Sequence, residues 1–149
     1  MNDNATLMPD QVRSLRCLAA MMIPASSTYN VPSAADDTIF ADIMRSLGRD
    51  AAQVQAAMRL LETLAGGVFA DLDAARRESV AATFRETGGE PLKLLTRIIL
   101  QCYYRDDRVM RSLDMEVRPP FPKGFDLEQG DWSLLDPVRK RAKLYRDVG

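Results

Sequence analysis

Residues 94–113 read LLTRIILQCYYRDDRVMRSL, and the way their apolar positions recur decides the fold. Leu94, Leu95, Ile98, Ile99 and Cys102 fall at the three- and four-residue spacing that lines side chains along one face of an α-helix. Pro91 stands in the first turn, where a residue without an N–H is tolerated. The stripe predicts a central, fifth helix, the best buried element of an all-α bundle. Tyr103, Tyr104 and Arg105 close it, with polar tips on apolar bodies, the ordinary finish of a buried helix. Asp106 and Asp107 then offer a cap for a short sixth helix from Arg108 to about Leu113.

Working back toward the N-terminus, the same period recurs four times. The first helix opens at Pro9 with Asp10 as its expected N-cap, buries Val12, Leu15, Leu18, Ala19 and Met22, and ends at Ile23-Pro24. The turn-rich residues 25–33 (ASSTYNVPS) form a loop. Ser33 is the expected cap of a second helix carrying Ile39, Phe40, Ile43, Met44 and Leu47, with Gly48 as its left-handed C-terminal residue. A third helix starts at Asp50, buries Val54, Met58, Leu61 and Leu64 or Ala65, and stops at Gly66-Gly67. A fourth and most polar helix starts near Asp71 or Asp73, passes Arg76, Arg77, Val80, Ala81 and Phe84, and stops at Gly88-Gly89. Short connections of this kind make antiparallel neighbours.

Beyond Leu113 the helical period stops. Pro119, Pro120, Pro122, Gly124, Gly130 and Pro137 break residues 115–149 repeatedly, leaving room for at most a turn of helix around Trp132 to Leu135. The expected organisation is a bundle of five to six helices over residues 1–114 and a long, mostly irregular C-terminal arm over 115–149. The arm carries Phe121, Phe125, Trp132, Leu134, Leu135 and Tyr145, too apolar and aromatic a set for an entropic tail. Such a segment either folds back on its own helices or serves another protein, and aromatic anchors among arginines are what interface hot spots favour. Arg139, Lys140, Arg141, Lys143 and Arg146 form a basic cluster that either meets a partner's carboxylates or is solvated. The residues assigned to a partner surface are Tyr103, Tyr104, Phe121, Phe125, Trp132, Leu134, Leu135, Arg139, Arg141 and Tyr145.

Composition narrows the chemistry. The 149 residues contain no histidine and carry a net charge of −1, which removes the commonest general base and metal ligand and argues against non-specific nucleic-acid binding. Cys17 and Cys102 are the only cysteines, too few for a structural zinc site or an iron–sulfur cluster. Both sit on apolar helix faces and are expected as buried thiols; a bond between them depends on geometry that sequence does not fix. No stretch has the roughly 20 apolar residues of a membrane span, and MNDNATLMPD at the start lacks the basic and apolar regions of an export signal. No dinucleotide fingerprint, phosphate loop or catalytic-serine elbow occurs. Asp36-Asp37 and Asp106-Asp107 are helix starts, where the dipole favours negative charge. No catalytic, cofactor-binding or metal residue is assigned to this chain, since a cofactor-free enzyme would have to work with tyrosine, arginine and carboxylates alone.

Three segments resemble one family. LRCLAAMMIPA (15–25), LLTRIILQCYYRDDRVMRSL (94–113) and the tail with Pro119-Pro120, Pro122, Gly124-Phe125 and residues 131–139 (DWSLLDPVR) are similar to the gluconate 2-dehydrogenase subunit 3 family. These are the small subunits of heteromeric flavin dehydrogenases acting on sugars and sugar acids. The resemblance implies a partner of the glucose-methanol-choline type that holds FAD, oxidises an alcohol carbon and often passes electrons to a c-type cytochrome. It implies a companion that stabilises, assembles and, in many members, helps export that partner. Family members often begin with a twin-arginine signal and this sequence does not, so the complex is periplasmic if the catalytic subunit carries the signal and cytoplasmic otherwise. The alternative is a helical protein-binding or regulatory module unrelated to redox chemistry.

Overall fold

Helix α1, Pro9–Met22, begins one residue after Met8, and the expected cap Asp10 lies inside its first turn, paired with Arg13 at 2.8 Å. The entry is fixed instead by the Met8 N–H donating to Gln11 Oε1 at 3.1 Å, and proline at the first helical position has no N–H that needs a cap. The computed structural model describes residues 7–118, 124 and 128–143. Among them it contains seven α-helices and no strand.

Helix α2, Asp37–Ser46, is capped by Asp36, whose carboxylate accepts the Thr38 N–H at 3.1 Å. Ser33, the expected cap, is engaged elsewhere, its hydroxyl donating to Ile23 O and accepting from the Ala35 N–H, both at 3.1 Å. With the paired Ser26 and Val31 backbone bonds at 3.0 Å, it closes the 25–33 loop into a compact turn. Gly48 takes no left-handed conformation, since residues 48–50 form a 3₁₀ turn that leads directly into α3, Ala51–Ala65. At the far end of α3 the sequence signal holds. Gly66 sits at φ +71°, where glycine escapes the penalty an L side chain meets, and Gly67 N–H donates to Glu62 O at 3.2 Å.

Helix α4, Ala74–Thr87, is capped by the Asp73 carboxylate accepting the Arg76 N–H at 2.8 Å. Gly88 ends α4 and immediately precedes α5, Gly89–Tyr104. A Cβ on Gly88 would lie 2.5 Å from Leu92 Cβ and 2.8 Å from Phe84 O, so glycine is required here by close approach. Helix α5 packs against α2, α3, α4 and α6 and buries six residues, Leu94, Leu95, Ile98, Ile99, Cys102 and Tyr103, one more than α1 or α3. Each aliphatic side chain so placed contributes about 1.5–3 kcal/mol of burial. Helix α6, Asp107–Ser112, is capped by Asp106, and Asp114 at φ +56° turns the chain back, with Met115 N–H on Met110 O at 3.0 Å.

The chain divides into two units, residues 1–117 and 118–149, a boundary three residues beyond the expected 114, because that turn holds Met115 to α6. In the second unit a 3₁₀ turn, Trp132–Leu135, continues into α7, Asp136–Arg139. The helical segment is longer than the single turn expected. Pro137 lies in the first turn of α7, where it prolongs the helix instead of breaking it.

Candidate partner interface

Two kinds of surface stand out, one ionic and one apolar. The ionic surface is in the first unit, where α2, the end of α5 and the start of α6 meet. Arg108 lays its guanidinium across two carboxylates: Nη2 and Nη1 donate to Asp36 at 2.7 and 3.2 Å, while Nε and Nη2 donate to Asp106 at 3.0 Å each. Fork geometry of this sort is the strong form of the arginine–carboxylate pair. Arg105 donates through Nε to Asp42 at 2.5 Å and through Nη2 to Ser46 Oγ at 2.7 Å. On the other side of α2, Arg16 donates to Ala35 O and Asp37 and lies 5.3 Å above the Phe40 ring.

These pairs fix the protonation states. Hydrogen bonds from Arg108 hold Asp36 and Asp106 below the usual carboxylate range, Arg105 does the same to Asp42, and Arg108 is itself pushed up by both its partners. All three carboxylates are therefore engaged anions at neutral pH. Asp36 and Asp106 thus act as helix caps and as ion-pair partners, of which only the capping is legible in adjacent-residue spacing. The Cys102 thiol is raised by burial, the reverse of what a nucleophilic thiol needs. Cys17 is half-buried, takes an Arg77 Nη1–H bond at 3.2 Å, and like Cys102 is a free thiol. Among the described residues no group of three or more His, Cys, Asp or Glu is placed to hold a metal ion. None of the helices described is long and apolar enough to cross a membrane.

Of the residues assigned to a partner surface, Tyr103 belongs to the core at 4 % exposure, and burial raises its phenol above the ordinary value. Its ring supports that of Tyr104 edge-on, centroids 5.3 Å apart. Tyr104, one position along the helix and so on another face, is exposed. In the second unit Trp132, Leu134 and Leu135 are 61, 73 and 40 % exposed. Arg139 and Arg141 are exposed beside them, Arg139 reaching Asp136 at 3.7 Å. Val138, absent from the assigned set, joins the same apolar group at 55 % exposure; its position three after Leu135 and four after Leu134 was the available signal. The Asp131 carboxylate accepts from the Ser133 N–H and hydroxyl at 3.0 and 2.6 Å and so anchors the start of the segment. Phe121, Phe125 and Tyr145 lie outside the described residues.

Comparison with family models, with curated proteins and with solved structures finds no match.

Proposed function

We propose that this chain is a non-catalytic small subunit that stabilises and assembles a separate FAD-dependent dehydrogenase of the glucose-methanol-choline type, acting on a sugar, glycoside or related alcohol. The observation that carries the reading is the capped helical segment 131–139, which presents Trp132, Leu134, Leu135 and Val138 to solvent. Exposed aromatic and aliphatic side chains grouped on one short element are the signature of an interface rather than of a solvated surface. The likeness of residues 15–25, 94–113 and 131–139 to the subunit 3 family supports a partner of this kind; those segments overlap α1, α5 and α6, and the segment that ends in α7. A chain without histidine is suited to a scaffold's role, with FAD and substrate held by the partner.

The test is recovery of the affinity-tagged chain from the cells that make it. A stoichiometric, yellow complex that reduces an electron acceptor with a sugar or related alcohol is the expected result. A colourless complex with some other protein would replace this reading by that of a regulatory module, and a well-behaved monomer without flavoprotein affinity would remove both.

A further inference from the structure

Two pockets flank the α2–α5 boundary of the first unit, and they differ in charge. The one toward α6, about 520 Å³, sets Arg45, Arg105 and Arg108 against Asp42, Asp106 and Asp107, so its charges balance. The other, about 440 Å³, is lined by Arg45, Arg49, Arg97 and Arg105 with Asp50 as its single carboxylate. Arg45 and Arg105 reach it from their shared pairing with Asp42. Among the described residues the side chains of Arg49 and Arg97 form no ion pair and no hydrogen bond; Asp50 is the one carboxylate lining this pocket, and Glu90, which borders Arg97 on its other side, is paired with Lys93. A nearly neutral chain has therefore gathered four guanidiniums around one concave space, with one carboxylate in its lining, and left two of them without an ion-pair partner. Like charges so placed repel, and an anion between them removes the repulsion.

We infer that this pocket binds a small molecule bearing a phosphate or diphosphate group. Arginine matches such oxyanions with paired N–H donors, and the volume lies in the range of small-ligand pockets. No aromatic side chain lines it, whereas a protein surface would seek such anchors. The inference is independent of the subunit reading.

The experiment titrates the full chain, or its complex if it is recovered as one, with inorganic pyrophosphate at fixed ionic strength by calorimetry. One saturable site is expected. The Arg49→Gln/Arg97→Gln pair should weaken it at least tenfold, since a lost charge-assisted bond is worth about that much. Arg76→Gln/Arg85→Gln on α4, with the same charge change outside the pocket, should leave it unaltered. Both pocket arginines are exposed, so folding should survive; the single variants, each weakening the site alone, serve if the double does not fold. Absence of saturation, or equal weakening by both pairs, would overturn the assignment. So would a glutamate-rich peptide that binds more tightly than pyrophosphate through the same two arginines, which would make the site an acidic-protein contact.

Discussion

Arg108 shows how much one side chain does in a small helical protein. It reaches across 72 positions of sequence to Asp36, the cap of α2, while also holding Asp106, the cap of its own helix α6. Replacing it by Met keeps the aliphatic stem and deletes the fork. Because the pairs are partly solvated, the loss should be about 1 kcal/mol at pH 7, read by chemical denaturation. The pH dependence has a defined sign. Asp36 and Asp106 are held below their unfolded values, so their contribution is complete above the ordinary carboxylate range, near 4, and disappears as pH falls through the lower folded values. The gap between wild type and Arg108→Met should stay constant from neutral pH to about 5 and narrow progressively as pH falls below the ordinary carboxylate range, near 4; an unchanged gap in acid would show that packing, not charge, is lost. The cysteines give a second check at this scale. Half-buried Cys17 should react with a thiol reagent in the native state, and Cys102, 2 % exposed with a raised thiol, only on unfolding; simultaneous reaction of both would contradict the burial.

Among the helices, the apolar stripes were legible and their beginnings less so. The period-3.6 pattern locates α1 to α6 because burial dominates local propensity. Asp106 was legible as a cap and Asp73 as one of two candidates with Asp71, because each precedes its stripe by about the usual interval. Asp10 and Ser33 misled because a capping residue type is necessary but not sufficient: at α1 proline sets the start, and Ser33 is held by Ile23 O. Gly48 misled for a related reason, since α2 passes into α3 through a 3₁₀ turn that any residue adopts. Gly88 shows the opposite case, a glycine demanded by packing. Gly88→Ala should lower stability by roughly 1–3 kcal/mol, because a Cβ there meets Phe84 O and Leu92. Thermal unfolding beside Gly48→Ala, where nothing lies within 4 Å, checks this; equal effects would show that close approach at Gly88 carries no cost of its own.

For the molecule as a whole, the two units answer different questions. The first has a core continuous from Leu7 to Val109, and its arginine-lined pocket was invisible in sequence because Arg45, Arg49, Arg97 and Arg105 are spread over three elements and their ends. The second has no buried residue among those described, and its aromatic residues were legible as a candidate surface from composition alone. If the proposed subunit role holds, double replacement of Trp132 and Leu134 by Asp should abolish recovery of the proposed flavoprotein partner while leaving far-ultraviolet helicity and the unfolding midpoint of the first unit unchanged. Loss of both together would assign those residues to folding.

Trp132 is the only tryptophan in the chain, which makes the central claim directly observable. The chain labelled with 5-fluorotryptophan should give one fluorine-19 resonance at the solvent-exposed position, and addition of the proposed flavoprotein partner, unlabelled, should shift and broaden it at one equivalent. A resonance that stays sharp and unmoved while the two proteins co-elute would show that Trp132 faces no partner.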